Sequence, residues 1–205
     1  MICRQRRMLN DLDVIVRTFP KEQNVLHVYA MGDTHVGSEQ FDEKTVRKKI
    51  EIIRNDPNGV LCLCGDLGDY GLKNSKTNVY KATMQPKEQQ AYIYELFEPI
   101  KHKIVGAVGG NHEQRIVREI GIDPMLQLCT LWGCPDVYRE NVAITKTARH
   151  ETNTESSLHV LTALTLRFQG TRIHLNIRRM GKYVLIQNTQ RLFTFRTRKL
   201  LWTQI

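Results

Sequence analysis

The stretch "NVLHVYAMGDTHVG", residues 24–37, decides how the rest of the chain is read. Its first half is a short, mostly apolar run, which predicts a buried strand. The run breaks at Gly32, and Asp33 and His35 follow just past the strand end. An aspartate and a histidine two residues apart have two readings there. Asp33 caps a surface turn through its own backbone, or the pair forms one corner of a metal site. The stretch alone does not choose between them.

The same design recurs twice. "GVLCLCGDLGDYG", residues 59–71, is a second apolar strand ending in a Gly/Asp loop. "HKIVGAVGGNHEQR", residues 102–115, is a third short apolar run ending in glycines and then Asn111, His112 and Glu113. Helical patterns separate the strands. In "SEQFDEKTVRKKIEIIRNDPNG", residues 38–59, Val46, Ile50 and Ile53 recur at spacings of three and four, and the Pro-Asn-Gly at 57–59 stops the pattern. "PKEQQAYIYELFEPI", residues 86–100, predicts a second helix with Tyr92, Leu96 and Ile100 along one stripe, and "EQRIVREIG", residues 113–121, a third that stops at Gly121. Short continuous apolar strands alternating with helices predict an α/β fold with a mainly parallel sheet. In such sheets, ligands collect at the carboxyl ends of the strands. Asp33, His35, Asp66 and Asn111 can therefore converge despite their separation in sequence. Carboxylate, imidazole and amide oxygen together suit divalent cations such as Mn, Fe or Zn, rather than a thiolate zinc site or an all-oxygen calcium loop.

Bulk properties narrow the field. With 205 residues, 41% of them hydrophobic, the chain suits one domain with a real core. No apolar run approaches the roughly 18 residues needed to span a membrane, and no uninterrupted apolar segment follows the basic start, so neither an anchor nor a signal peptide is expected. The cysteines Cys3, Cys62, Cys64, Cys129 and Cys134 are scattered. Cys62 and Cys64 sit in an apolar strand and read as core, "CTLWGC" lacks metal-site spacing, and reduced thiols in a cytoplasmic setting are expected. The net charge is +9, and residues 156–205 contribute 9 Lys+Arg and no Asp or Glu. A basic face suggests a phosphate-bearing partner. The alternative source of so one-sided a composition is a shifted reading frame or relaxed selection.

"GDTH", "GDLGDY" and "GGNHE", in this order at three strand ends, resemble the first three signatures of the calcineurin-like metallophosphoesterases, D-x-H, G-D-x-x-D and G-N-H-D/E. Their style is similar to phage and bacterial members. The resemblance covers roughly residues 24–141, leaving 1–23 as an N-terminal extension and 142–205 as a divergent basic part of a single domain. It implies a sandwich of two central mixed β-sheets flanked by helices, and hydrolysis of phosphate mono- or diesters, nucleic acid among them, by a water activated between two divalent metals. By position, it implies that Asp33 and His35 hold the first metal, Asp66 bridges both and Asn111 binds the second. His112 would face the substrate phosphate, with Asp69 and Glu113 orienting the ligands. Arg115 and Arg118 are within reach of a phosphate, or form a solvated helix face.

The family pattern also contains a later lone histidine and then G-H-x-H, and this sequence has no G-H-x-H. In "YVLIQNTQRLF", residues 183–193, Asn188 and Gln190 stand where two imidazoles are expected. His150, His159 and His174 are the histidines left for the lone position. Neutral amides bind these metals less tightly than imidazole, so a weak second metal and low activity are expected. The competing expectation is a phosphoesterase-fold protein without turnover that binds nucleic acid through its basic C-terminal face. No membrane partner is expected.

Overall fold

The computed structural model describes residues 13–20, 26–72, 82–149, 162–166, 174–179 and 182–187. Its central sheet is wholly parallel, with β2 (His27–Met31), β3 (Gly59–Leu63), β4 (Ile104–Val108) and β5 (Tyr138–Arg139) adjacent in that order. Every residue of β3 and β4 is buried. Both faces of these strands are therefore covered, which is why they read as continuous apolar runs rather than alternating ones.

A second sheet packs behind the first. It joins β1 (Ile15–Phe19), β6 (Val142–Arg149), β7 (Thr162–Leu166), β8 (His174–Arg179) and β9 (Lys182–Gln187), in the order β1-β6-β7-β8-β9. β1 runs parallel to β6, and the remaining pairings are antiparallel. This sheet is mixed, as expected, whereas the described strands of the central one all run the same way. The sheets meet where Ile15, Val108 and Ala143 bury one another and Thr145 Oγ1 donates 2.9 Å to the Val105 carbonyl. β1 lies in the stretch read as an extension, yet it is paired into the second sheet. Its run "IVRTF" is short and broken by Arg17 and Thr18, and its pairing partner lies far along the chain.

Helices cover the outer face of the central sheet. α1 (Glu43–Asn55) buries Val46, Ile50 and Ile53, the predicted stripe, and Asp42 caps it by accepting from the Thr45 amide at 3.0 Å. α2 (Pro86–Phe97) buries Leu96 of the predicted stripe, and its buried face is wider than predicted. Gln89, Ile93, Leu96 and Phe97 are buried, and Tyr92 lies partly out, beneath the Arg47 guanidinium. A 3₁₀ turn, Glu98–Lys103, then buries Ile100. α3 (Asn111–Ile120) begins at the third motif and ends on the left-handed Gly121. α4 (Pro124–Leu131), capped by Asp123 on the Leu126 amide, was not expected, because its composition is apolar without a helical period.

Phe97 is fully buried, its ring 6.0 Å from that of Trp132. Phe97→Ala should lower the stability of the fold by about 3–5 kcal/mol. A urea titration would show this as a lower midpoint with an unchanged slope.

Candidate metal centre

The loops after β2 and β3 are laced together through their main chains. The Asp33 amide donates to Gly65 O at 3.1 Å, His35 to Asp66 O at 3.1 Å and Val36 to Leu67 O at 2.8 Å. Asp69 donates back to Val36 O at 2.9 Å. The Thr34 hydroxyl adds a bond to Leu67 O at 2.7 Å. This parallel zipper holds Asp33, His35 and Asp66 on one rim, and one ligand atom from each lies within 4.8 Å of the others. All three adopt left-handed backbone, with φ of 51°, 47° and 53°. Among the described residues only Tyr70, at 44°, joins them as a non-glycine with positive φ. Such conformations cost of order 1–3 kcal/mol each and persist where the surrounding structure enforces them. Here the zipper enforces them, and it turns three side chains toward one point.

The third loop is fixed by Glu113. Its buried carboxylate accepts from the Asp66 amide at 2.9 Å, the Leu67 amide at 2.9 Å and the Gly110 amide at 2.8 Å. One side chain thus ties the loop after β3 to the loop after β4. The two loops touch glycine to glycine. A Cβ on Gly65, whose φ is +82°, would lie 2.3 Å from the Gly110 nitrogen, and one on Gly110 would lie 2.3 Å from Asp66 Oδ1. Asp66 in turn accepts from the His112 amide at 2.8 Å, in the first turn of α3, where the helix dipole favours an anion.

His112 lies beside this cluster, its ring centroid 4.4 Å from that of His35. Nδ1 donates 2.6 Å to the Asp69 carbonyl, which can only accept, and the buried Asp69 carboxylate is 3.4 Å away. The proton is therefore on Nδ1, and Nε2 accepts from an Arg115 Nη2–H at 3.2 Å. His35, Asp69 and His112 also lie within ligating distance of one another. Because His112 Nδ1 already serves the Asp69 carbonyl, that trio orients an imidazole rather than forming an open ligand set. Asn111 is the first residue of α3 and is exposed, adjacent to His112. Of the remaining expected positions, His174 opens β8 opposite Gln187. His150, His159, Asn188 and Gln190 lie outside the described residues.

Electrostatics follow from putting carboxylates together in a half-buried place. Burial and the charge of Asp66 push the Asp33 carboxyl up to about 6, with His35 opposing. Burial and Asp66 raise Glu113 to about 7, against its three amide bonds. Burial and the neighbouring His112 lower His35, with Asp66, Asp33 and Asp69 pulling the other way. The donor set of two carboxylates and an imidazole fits a divalent cation, and Asp33 and Asp66 gain from any positive charge placed between them.

The family profile described as calcineurin-like phosphoesterase matches residues 26–194. The chain belongs to this family. It is accordingly a member of a family of phosphoester hydrolases, and the family match continues well past residue 141, where the resemblance read from the sequence ends. No curated protein matches the chain. The geometry also promotes two residues. Asp69 and Glu113 looked like accessories in sequence, whereas Glu113 proves to be the tie between two ligand-bearing loops.

A raised carboxyl pKa means that the folded state holds its proton more tightly than the unfolded chain. That stabilisation is complete below the ordinary values of 3.8 and 4.5, and is lost as pH rises through about 6 for Asp33 and about 7 for Glu113. In EDTA, Asp33→Asn should therefore gain on the parent protein as pH rises through this window. Adding a divalent cation should narrow the difference. Urea midpoints across the window, with and without the cation, measure both effects.

Proposed function

We propose that the chain hydrolyses phosphoester bonds with a divalent cation held by Asp33, His35 and Asp66, and that its substrates are phosphodiesters of nucleic acid. The observation carrying this reading is the convergence of those three ligand atoms within 4.8 Å, each from a residue in left-handed backbone. A cation bound there supplies Lewis-acid stabilisation of phosphate charge and a more acidic water. The chain's own groups do the rest. Asp69 fixes the His112 ring through Nδ1 and so sets Nε2 against the Arg115 guanidinium, and Nε2 can give a proton to substrate once the ring is in its imidazolium form. An imidazole and a guanidinium together suit a phosphate, whose leaving oxygen needs a proton and whose other oxygens carry charge. Asn111, next to His112, would offer an amide oxygen to a second cation.

The nucleic-acid preference rests on the last 50 residues, with their 9 Lys+Arg and no carboxylate. The missing G-H-x-H argues for a weak second cation site and slow turnover. Asn188 and Gln190 bring neutral amides where the family pattern has imidazoles.

The test is hydrolysis of bis-p-nitrophenyl phosphate with Mn. Activity should vanish in EDTA and in Asp66→Asn. Glu113→Gln should lower metal affinity or activity by about 10–100-fold, although Glu113 is not itself a proposed ligand. Nucleic-acid binding that ignores EDTA, falls steeply with salt and comes with no turnover would contradict the proposal.

A further inference from the structure

The end of α4 brings two thiols together. Gly133 is left-handed, with φ of 78°, its amide donates to Thr130 O at 3.0 Å, and the Cys134 amide donates to Cys129 O at 2.8 Å. These two bonds define a Schellman turn, which brings the third residue from the helix end against the second residue beyond the cap. In most proteins that contact is between apolar side chains. In "CTLWGC", residues 129–134, both positions are cysteine, so the turn sets two free thiols against each other. Cys129 is fully buried, whereas Cys134 is half-buried at the edge of the core, with Arg17 and Lys101 near enough to favour its thiolate and Asp136 opposing them. Arg17 donates to Asp136 at 2.8 Å, and Lys101 is paired with Glu98 at 2.9 Å.

We propose that Cys134 and Cys129 form a reversible dithiol–disulfide pair responsive to hydroperoxides, with Cys134 as the attacking thiol and Cys129 as the resolving one. The pair is distinct from the cluster of Asp33, His35 and Asp66 and plays no part in the proposed hydrolysis. The asymmetry suits these roles. The neighbouring Cys129 holds the Cys134 thiol below its ordinary range, while Cys134 and burial hold Cys129 well above it. The Cys134 thiolate attacks the terminal oxygen of the hydroperoxide. The O–O bond breaks, an alcohol or water departs with the thiol's proton, and Cys134 becomes a sulfenic acid. The Cys129 sulfur then attacks the Cys134 sulfur. The S–O bond breaks and water leaves, taking the Cys129 proton. The two sulfurs lose two electrons in all, and the peroxide bond gains them.

The experiment is treatment of the full-length reduced protein with hydrogen peroxide, followed by intact-mass measurement and peptide mapping. The expected product has lost two hydrogen atoms, carries a crosslink between Cys129 and Cys134, and returns to the dithiol with a reducing thiol. Cys129→Ala keeps the buried position apolar and should leave a Cys134 sulfenic acid that dimedone captures. Cys134→Ser should abolish the crosslink and leave Cys129 reduced. Oxygen addition at Cys134 of the parent protein without a crosslink would overturn the proposal. So would oxidation of Cys3, Cys62 or Cys64 while this pair stays reduced.

Discussion

Glu113 accepts three main-chain N–H groups, from Asp66, Leu67 and Gly110, while almost wholly removed from water. A buried carboxylate is tolerated only when its oxygens are bonded. Here the bonds come from two different loops, so one side chain sets their register. The glycine-to-glycine contact of Gly65 with Gly110 permits the approach, and Glu113 holds it. Asp66 then receives the His112 amide, and the β2 loop is zipped onto the β3 loop. The position of Asp66, and through the zipper of Asp33 and His35, thus depends on a residue that is not itself a proposed ligand.

The same arrangement explains why the site stores unfavourable electrostatics. Asp33 and Asp66 are held close by backbone bonds that do not relax when the carboxylates repel, and burial together with that repulsion makes Asp33 hold its proton to about 6. Three non-glycine residues kept at positive φ add conformational strain at the same place. Folding energy from the apolar core of α1, α2 and the central sheet supports both. At the opposite end of β2, His27 and Tyr29 converge on Asp56, at 2.6 and 2.7 Å, and fix the strand from which the first ligand loop springs.

The parallel central sheet and the three ligand loops were legible in sequence because each strand is a short apolar run closed by glycine and a ligating side chain. The stripe of α1 was legible because nothing polar interrupts it. The face of α2 was legible only in part: Leu96 and Ile100 are buried as read, while Gln89, Ile93 and Phe97 were missed. Gln89 is polar yet fully buried, its amide bonding the Met84 carbonyl and the Tyr70 N–H, and a hydrophobic period cannot register a buried residue satisfied by main chain. β1 escaped because its parallel partner, β6, is more than a hundred residues away. The Cys129–Cys134 contact escaped for a different reason. A five-residue spacing brings side chains together only at a Schellman turn, and the helix that ends there has no period of its own. Asn111 and His112 were placed correctly at a strand end, but only coordinates show that Asp69 fixes the tautomer of His112.

The proposed hydrolysis depends on Asp33, His35 and Asp66 acting together as cation ligands. Anomalous scattering from crystals grown with Mn tests this most directly. A Mn peak coordinated by Asp33, His35 and Asp66, with a weaker second peak on the Asn111 side of Asp66, is the predicted result. A map with no Mn peak at these three residues, from crystals in which the loops keep the zipped conformation, would contradict it.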